Sequence, residues 1–119
     1  MPDPQQANPG ISWQQAQRGY HNNATARRAA REQLTAALKV KAHKAHDHAK
    51  GMALAFVKHR GEGKPVEECK ILAKADAAGL ELERDLADAE AKSAQARLQE
   101  LEGERASLRQ LIDWTREES

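Results

Sequence analysis

The stretch Arg60-Gly61-Glu62-Gly63-Lys64-Pro65 separates a basic half of the chain from an acidic half. Residues 1–60 carry ten lysines and arginines against three acidic residues, whereas residues 61–119 carry nine against fifteen. Glycine and proline so close together interrupt a helix and favour a turn. Because the two halves carry opposite charge, they attract each other across such a turn. The sequence therefore predicts that the chain folds back on itself at this stretch.

Long helices are predicted on both sides of the turn. Aromatic residues make up 3% of the chain and charged residues 31%, which is typical of long helices and coiled coils rather than of a broad globular core. We assign a first helix to residues 12–60, the turn to 61–64 and a second helix to 65–117. Residues 1–11 are rich in proline and are predicted to form a disordered tail.

Local signals mark the helix ends. Ser12-Trp13-Gln14-Gln15 matches a capping box at the start of the first helix. Gly61 follows three basic residues and suits the left-handed position after a helix, while Pro65 suits the first position of the next one. Gly19 and Asn23 weaken the first helix, so the sequence leaves open a kink, or a restart capped by Asn23.

A coiled-coil stripe is predicted along each helix, because small and apolar residues recur at spacings of three and four. In the first helix the stripe comprises Leu34, Leu38, Ala42, Ala45, Ala49, Met52 and Phe56. In the second it comprises Leu72, Ala75, Gly79, Leu82, Leu86, Ala94, Leu98, Leu101, Leu108 and Ile112. The predicted fold class is all-α: an antiparallel two-helix coiled-coil hairpin, assembled into a homo-oligomer such as a dimer or four-helix bundle because a lone hairpin leaves much of each helix in water.

A turn near residue 62 also predicts which residues face each other. The expected neighbours are Phe56 with Cys69, Ala45 with Leu80, Arg27 with Leu98, and Trp13 with Ile112. The same register brings Lys44 toward Glu81 and Lys50 toward Asp76. Cys69, the single cysteine, is predicted to be a small buried hydrophobic residue.

The basic surface of the first helix is the first candidate binding site. Its residues are Arg27, Arg28, Arg31, Lys39, Lys41, Lys44, Lys50, Lys58 and Arg60. A long basic helix can lie against phosphates without sequence preference. The same charges can equally pair with the acidic second helix or hold a protein partner.

The aromatic residues define a second candidate site at the open end of the predicted hairpin. This set comprises Trp13, Tyr20, Leu108, Leu111, Ile112 and Trp114. Aromatic residues bury large areas and carry polar groups, which suits an end plug, an oligomer contact or a docking surface.

A weak metal-site candidate lies in the first helix, where His43, His46 and Asp47 share one helical face. Nearby lysines and the lack of a fourth ligand favour a solvated polar face instead, so no metal or cofactor is predicted. No nucleophile and base arrangement and no glycine-rich phosphate loop occurs in the sequence. We therefore expect no enzymatic activity.

Parts of the second half resemble small helical-hairpin proteins of tailed phages and prophages. The residues concerned are Gly63-Lys64-Pro65-Val66-Glu67-Glu68-Cys69-Lys70, Ala73-Lys74-Ala75-Asp76 and Leu108-Arg109-Gln110-Leu111-Ile112-Asp113-Trp114. The resemblance covers residues 30–118, and members of that group often appear among phage recombination and replication genes. It implies an accessory role around phage DNA metabolism or host takeover, with no catalytic residue to carry over.

We therefore interpret the sequence as a non-catalytic interaction or adaptor module with a protein partner. The alternatives are direct, sequence-nonspecific nucleic-acid binding through the first helix, and inhibition of a host enzyme or defence complex. The sequence contains no signal-peptide pattern and no stretch apolar enough for a membrane span. We accordingly expect a cytoplasmic protein that does not enter membranes, in the host cell if it is phage-encoded.

Overall fold

The structure is a computed structural model that describes residues 12–118. The predicted tail, residues 1–11, lies outside the described residues. The described chain is helical and contains no strand, which confirms the all-α class. Helix α1 spans Trp13–Gly61, α2 spans Val66–Asp76 and α3 spans Ala78–Glu118.

Helix α1 begins at the predicted capping box. The backbone amide of Gln15 donates to Ser12 Oγ at 3.2 Å, and the Ser12 amide donates to Gln15 Oε1 at 2.9 Å. These two bonds satisfy amides that would otherwise lack partners at the helix start. No restart follows at Asn23, since α1 is continuous and the Asn23 side chain is buried in a contact with α3.

A Schellman-type turn ends α1, and its left-handed glycine lies two residues later than the sequence predicts. The amide of Lys64 donates to the His59 carbonyl at 3.3 Å, and the amide of Gly63 donates to the Arg60 carbonyl at 3.0 Å. Gly63, with φ 84°, occupies the left-handed position that was expected of Gly61. Pro65 immediately precedes α2 in an extended conformation instead of forming its first residue.

The chain divides into two compact units, which are described separately. The first unit contains the described residues 12–32 and 96–118. Its buried side chains are Ala16, Asn23, Arg27, Ala30 and Leu101. Tyr20 contacts Arg105, and Asn23 contacts Leu101 and Glu104, so α1 and α3 run antiparallel within this unit.

The second unit contains residues 33–95 and is also antiparallel. Five contacts set its register: His59 with Asp76, Gly51 with Leu80, His48 with Arg84, Lys44 with Glu83, and Lys41 with Asp88. The predicted register is wrong here. Leu80 lies against Gly51 instead of Ala45, Lys44 pairs with Glu83 instead of Glu81, and Asp76 pairs with His59 instead of Lys50.

The stripe of α1 that packs in the second unit also differs from the predicted one. Leu38, Ala42, Ala45 and Ala49 of the predicted stripe are exposed, while Leu34, Met52 and Phe56 are only half-buried. The contacts instead come from Lys41, Lys44, His48, Gly51 and His59. A Cβ at Gly51 would overlap Leu80 Cδ1, so a larger residue there requires the Leu80 side chain to move.

Helix α2 ends at Asp76 and Ala77 caps it, whereas the sequence predicts one uninterrupted second helix. The amide of Ala77 still donates to the Ala73 carbonyl at 3.0 Å, and the amide of Glu81 donates to the Ala77 carbonyl at 2.9 Å. The buried residues Cys69, Ala73 and Ala77 are spaced four and four, before Leu80 restores a step of three. Two successive steps of four residues rotate the buried stripe around the helix axis, and the interruption of the helix at Ala77 coincides with this shift. Cys69 is buried, as predicted.

The two glycines of the turn provide a matched test. Replacing Gly63→Ala places a Cβ in the left-handed conformation, and we expect the free energy of unfolding to fall by about 1–2 kcal/mol. Gly61→Ala lies at the end of α1 with no heavy atom within 4 Å of the added Cβ, so stability should be unchanged or rise. Urea unfolding followed by circular dichroism measures both, and equal effects would contradict the observed turn.

Candidate interaction surfaces

Arginine and lysine are segregated between the two units. All nine lysines lie in residues 33–95, whereas eight of the ten arginines belong to the first unit. The exceptions are Arg60 and Arg84. The planar guanidinium of arginine binds carboxylates and phosphates through two hydrogen bonds and stacks on aromatic rings, which the lysine ammonium cannot do. The first unit therefore combines arginine with Trp13, Tyr20 and Trp114.

An open groove of about 600 Å³ lies on the first unit. Tyr20, His21 and Ala24 of α1 line one side, and Arg109, Ile112 and Asp113 of α3 line the other. Arg109 makes no hydrogen bond or ion pair within residues 12–118. The groove thus offers an unpaired guanidinium beside an aromatic ring and an aliphatic side chain.

The positive charge around this groove affects the pKa of the Tyr20 phenol. Arg105 Nε donates a hydrogen bond to the Tyr20 hydroxyl at 3.3 Å. This bond, together with the positive charges of Arg105, Arg109 and Arg27, lowers the pKa of Tyr20 below its ordinary value. The guanidinium groups stabilise the phenolate, so they would also stabilise an anionic ligand.

The predicted aromatic set is partly assembled in the first unit. Tyr20 and Ile112 share the groove. Leu108 and Leu111 are half-buried, and the side chain of Leu108 packs against the backbone at Gly19. Trp13 and Trp114 are both exposed, so neither forms a buried plug within this unit.

The Tyr20 pKa can be tested directly, because Tyr20 is the only tyrosine in the chain. Replacing Arg105→Ala removes the hydrogen bond and the nearest positive charge, and we expect the pKa of Tyr20 to rise toward its ordinary value. Ultraviolet absorbance of the phenolate during an alkaline titration measures this pKa. Arg97→Ala, an exposed arginine paired with Glu100, is the control and should leave it unchanged.

Arg27, assigned to the basic surface from the sequence, is buried instead. Its Nε donates to Asn23 Oδ1 at 2.8 Å, and Asn23 Nδ2 in turn donates to the Leu101 carbonyl at 2.9 Å. Asn23 Nδ2 also lies 3.3 Å from Glu104 Oε1. This polar network fixes α1 against α3 in the first unit, so the role of Arg27 is structural.

Removing the centre of this network should destabilise the protein. Asn23→Ala leaves the buried Arg27 guanidinium without its acceptor, and we expect a loss of about 2 kcal/mol in the free energy of unfolding. Asn22 is exposed on the same helix, and Asn22→Ala should change stability by less than about 0.5 kcal/mol. Denaturant unfolding of the two variants provides the comparison. A loss with Asn22→Ala as large as with Asn23→Ala would contradict the network.

The remaining basic residues fall into two groups. Lys41 and Lys44 pair with Asp88 at 3.0 Å and Glu83 at 3.4 Å, and Arg60 donates to the Lys64 carbonyl at 2.9 Å. Lys41 and then Lys92 lower the pKa of the Asp88 carboxyl below its usual value. The other predicted members of the surface are exposed and make neither a hydrogen bond nor an ion pair in the described part of the chain: Arg28, Arg31, Lys39, Lys50 and Lys58.

The histidines do not assemble a metal site. Among the described residues no group of three or more histidines, cysteines and carboxylates is placed to hold a metal ion, and His43, His46 and Asp47 are all exposed. His59 is buried at the turn, where Nε2 lies 2.7 Å from Asp76 Oδ2. The buried Cys69 thiol donates to the Lys64 carbonyl at 3.4 Å. His59 and Cys69 therefore serve to hold the turn.

No known protein family, curated protein sequence or solved structure matches the chain. Within residues 12–118, none of the helices is both long and apolar enough to cross a lipid bilayer. The functional argument consequently rests on the surfaces described above.

Proposed function

We propose that the chain is a non-catalytic protein-interaction module, built as an antiparallel two-helix coiled-coil hairpin, and that its partner binds the groove of the first unit. The observation that carries this proposal is the Arg109 guanidinium beside Tyr20 and Ile112, which has no hydrogen-bond or ion-pair partner among the described residues. Arginine, tyrosine and tryptophan dominate the energetic centres of protein interfaces, and all three are concentrated in this unit. The accessory role in phage biology implied by the resemblance stays a prediction.

The chemistry of the groove favours a partner segment with carboxylates beside an apolar residue. A carboxylate can form two parallel hydrogen bonds with Arg109. The aliphatic surface of Ile112 and the ring of Tyr20 offer a contact for a neighbouring apolar side chain. An acidic amphipathic helix presents both groups on one face, and we infer that the partner supplies such a helix.

The charge balance of the first unit argues against an extended polyphosphate ligand. Residues 1–32 and 96–119 contain eight arginines and eight acidic residues, so the unit has no net charge. Nucleic acid carries a dense row of phosphates and is bound by surfaces with a strong positive field. A local arginine in a neutral surface suits a short acidic segment better.

Direct nucleic-acid binding stays the second candidate because of one observation. Five of the basic residues assigned to this surface from the sequence are exposed and make no hydrogen bond or ion pair in the described part of the chain: Arg28, Arg31, Lys39, Lys50 and Lys58. This candidate requires phosphate affinity that falls steeply as salt concentration rises. It also requires Arg28 and Arg31 to contribute.

The proposal is tested with a synthetic helical peptide that carries leucine at every third or fourth position and glutamate elsewhere. Fluorescence anisotropy of the labelled peptide should show saturable binding. We expect Arg109→Gln to raise Kd about tenfold through loss of a charged anchor. Asp113→Asn should lower Kd, because it removes a carboxylate that repels the peptide.

Arg28→Gln is the matched control, since it makes the same charge change outside the groove and should leave the peptide Kd unchanged. A second peptide with glutamine in place of glutamate should not bind. If the peptide fails to bind, or if Arg28→Gln weakens binding as much as Arg109→Gln, the groove is not the site. Binding of an oligothymidylate that is weakened by salt and by Arg28→Gln would favour the nucleic-acid candidate instead.

A further inference from the structure

A stripe of apolar residues is exposed on the outward face of α2 and α3 in the second unit. Its three large members, Ile71, Leu82 and Leu86, are 71%, 60% and 58% exposed. Ala75, Ala78 and Ala89 are exposed as well and complete the pattern. The six residues recur at steps of four, three, four, four and three, and we call them the outer stripe. This spacing is that of a coiled-coil contact.

The outer stripe is distinct from the contacts that hold the second unit together. Cys69, Ala73, Ala77 and Ala87 are buried on the inner face, where Leu80 also packs against Gly51. In the described residues of the second unit nothing covers the outer stripe. The two helices therefore carry two coiled-coil stripes, of which only the inner one is occupied.

The outer stripe is complementary in side-chain size to the outer stripe of a second copy that runs in the opposite direction. Its members are arranged almost symmetrically about residue 80. An antiparallel second copy centred there places Ile71 opposite Ala89, Leu86 opposite Ala75, and Leu82 opposite Ala78. Each large side chain meets a small one, which allows the helices to approach closely without a clash.

The flanking charges agree with the same antiparallel register. Lys74, which makes no ion pair among the described residues, comes opposite Asp85 of the second copy. Glu67 comes opposite Lys92 of the second copy. A parallel arrangement would instead place each of these charges beside its own equivalent. Opposite charges across the interface favour the antiparallel orientation and disfavour the parallel one.

We propose that the outer stripe binds the outer stripe of a second copy of this chain, antiparallel and around a twofold axis next to residue 80. Such an interface is isologous, so each residue contributes to it twice. A single substitution therefore has a doubled effect. The dimer would carry two grooves of the first-unit type, and a partner with two acidic segments would gain avidity.

The first experiment compares two leucines of equal exposure on the second unit. Leu82 is 60% exposed on the outer stripe, and Leu54 is 61% exposed on α1, away from it. Sedimentation equilibrium of the full chain should show a dimer that dissociates on dilution. We expect Leu82→Glu to raise the dimer Kd at least about a hundredfold, because two charges enter an apolar interface. Leu54→Glu should leave the dimer Kd unchanged.

Charge exchange tests the orientation. Lys74→Glu places two like-charged pairs in the dimer and should raise its Kd about fivefold, and Asp85→Lys should do the same. The chain that carries both substitutions restores opposite charges across the twofold axis and should regain the original Kd. Circular dichroism of each variant shows whether the helices remain intact.

Each other outcome overturns the proposal. If the chain is monomeric at its highest soluble concentration, a second copy does not bind the outer stripe, and the stripe would have to bind a different protein. A dimer that resists Leu82→Glu, or that Leu54→Glu disrupts to the same extent, uses another surface. Failure of the double charge exchange to restore the dimer excludes the antiparallel register. None of these results affects peptide binding at the groove, which is measured separately.

Discussion

Close packing of small side chains is the constraint on which the rest of the structure depends. Among the residues that the structure describes, six of the eight buried apolar ones are alanines: Ala16, Ala30, Ala73, Ala77, Ala87 and Ala91. Alanine lets helices approach closely but removes little area from water, so apolar burial alone gives weak preference for one register. Polar contacts therefore select the register in each unit, through Asn23 and Arg27 in the first and through His59 and Asp76 in the second.

This dependence on small and polar residues explains where the sequence was informative. The presence of the turn, the capping box and the burial of Cys69 were predicted and agree with the structure, although the left-handed position falls to Gly63 and not to Gly61. The contact stripe of α1 in the second unit differs from the predicted one, because the larger apolar residues there are not the residues that make its closest contacts. Heptad spacing does connect Ala16, Asn23, Ala30, Ala37, Lys44 and Gly51, but a hydrophobicity pattern gives no weight to lysine or asparagine at a contact position.

The surfaces were predicted less well than the helices, for a related reason. The predicted basic face along α1 treats arginine and lysine as equivalent. The concentration of arginine in the first unit is not visible when the two residue types are combined. The prediction also could not show that Arg27 is buried or that Lys41 and Lys44 are engaged by acidic residues. Tyr20 and Ile112, both members of the predicted aromatic set, line one groove, but Arg109, on which the groove depends, carried no distinguishing signal in a sequence rich in charge.

Because lysine and arginine are concentrated in different units, the two units differ in the covalent modifications that they can receive. Acetylation acts on side-chain amines, and every such amine lies in residues 33–95. Enzymes or reagents that act on lysine can thus neutralise charge in the second unit, including Lys74 beside the outer stripe, without touching a guanidinium at the groove. Methylation of arginine would act mainly on the first unit, since only Arg60 and Arg84 lie in residues 33–95, and it blocks paired hydrogen bonding while preserving the charge. The two surfaces can therefore be modified independently of each other.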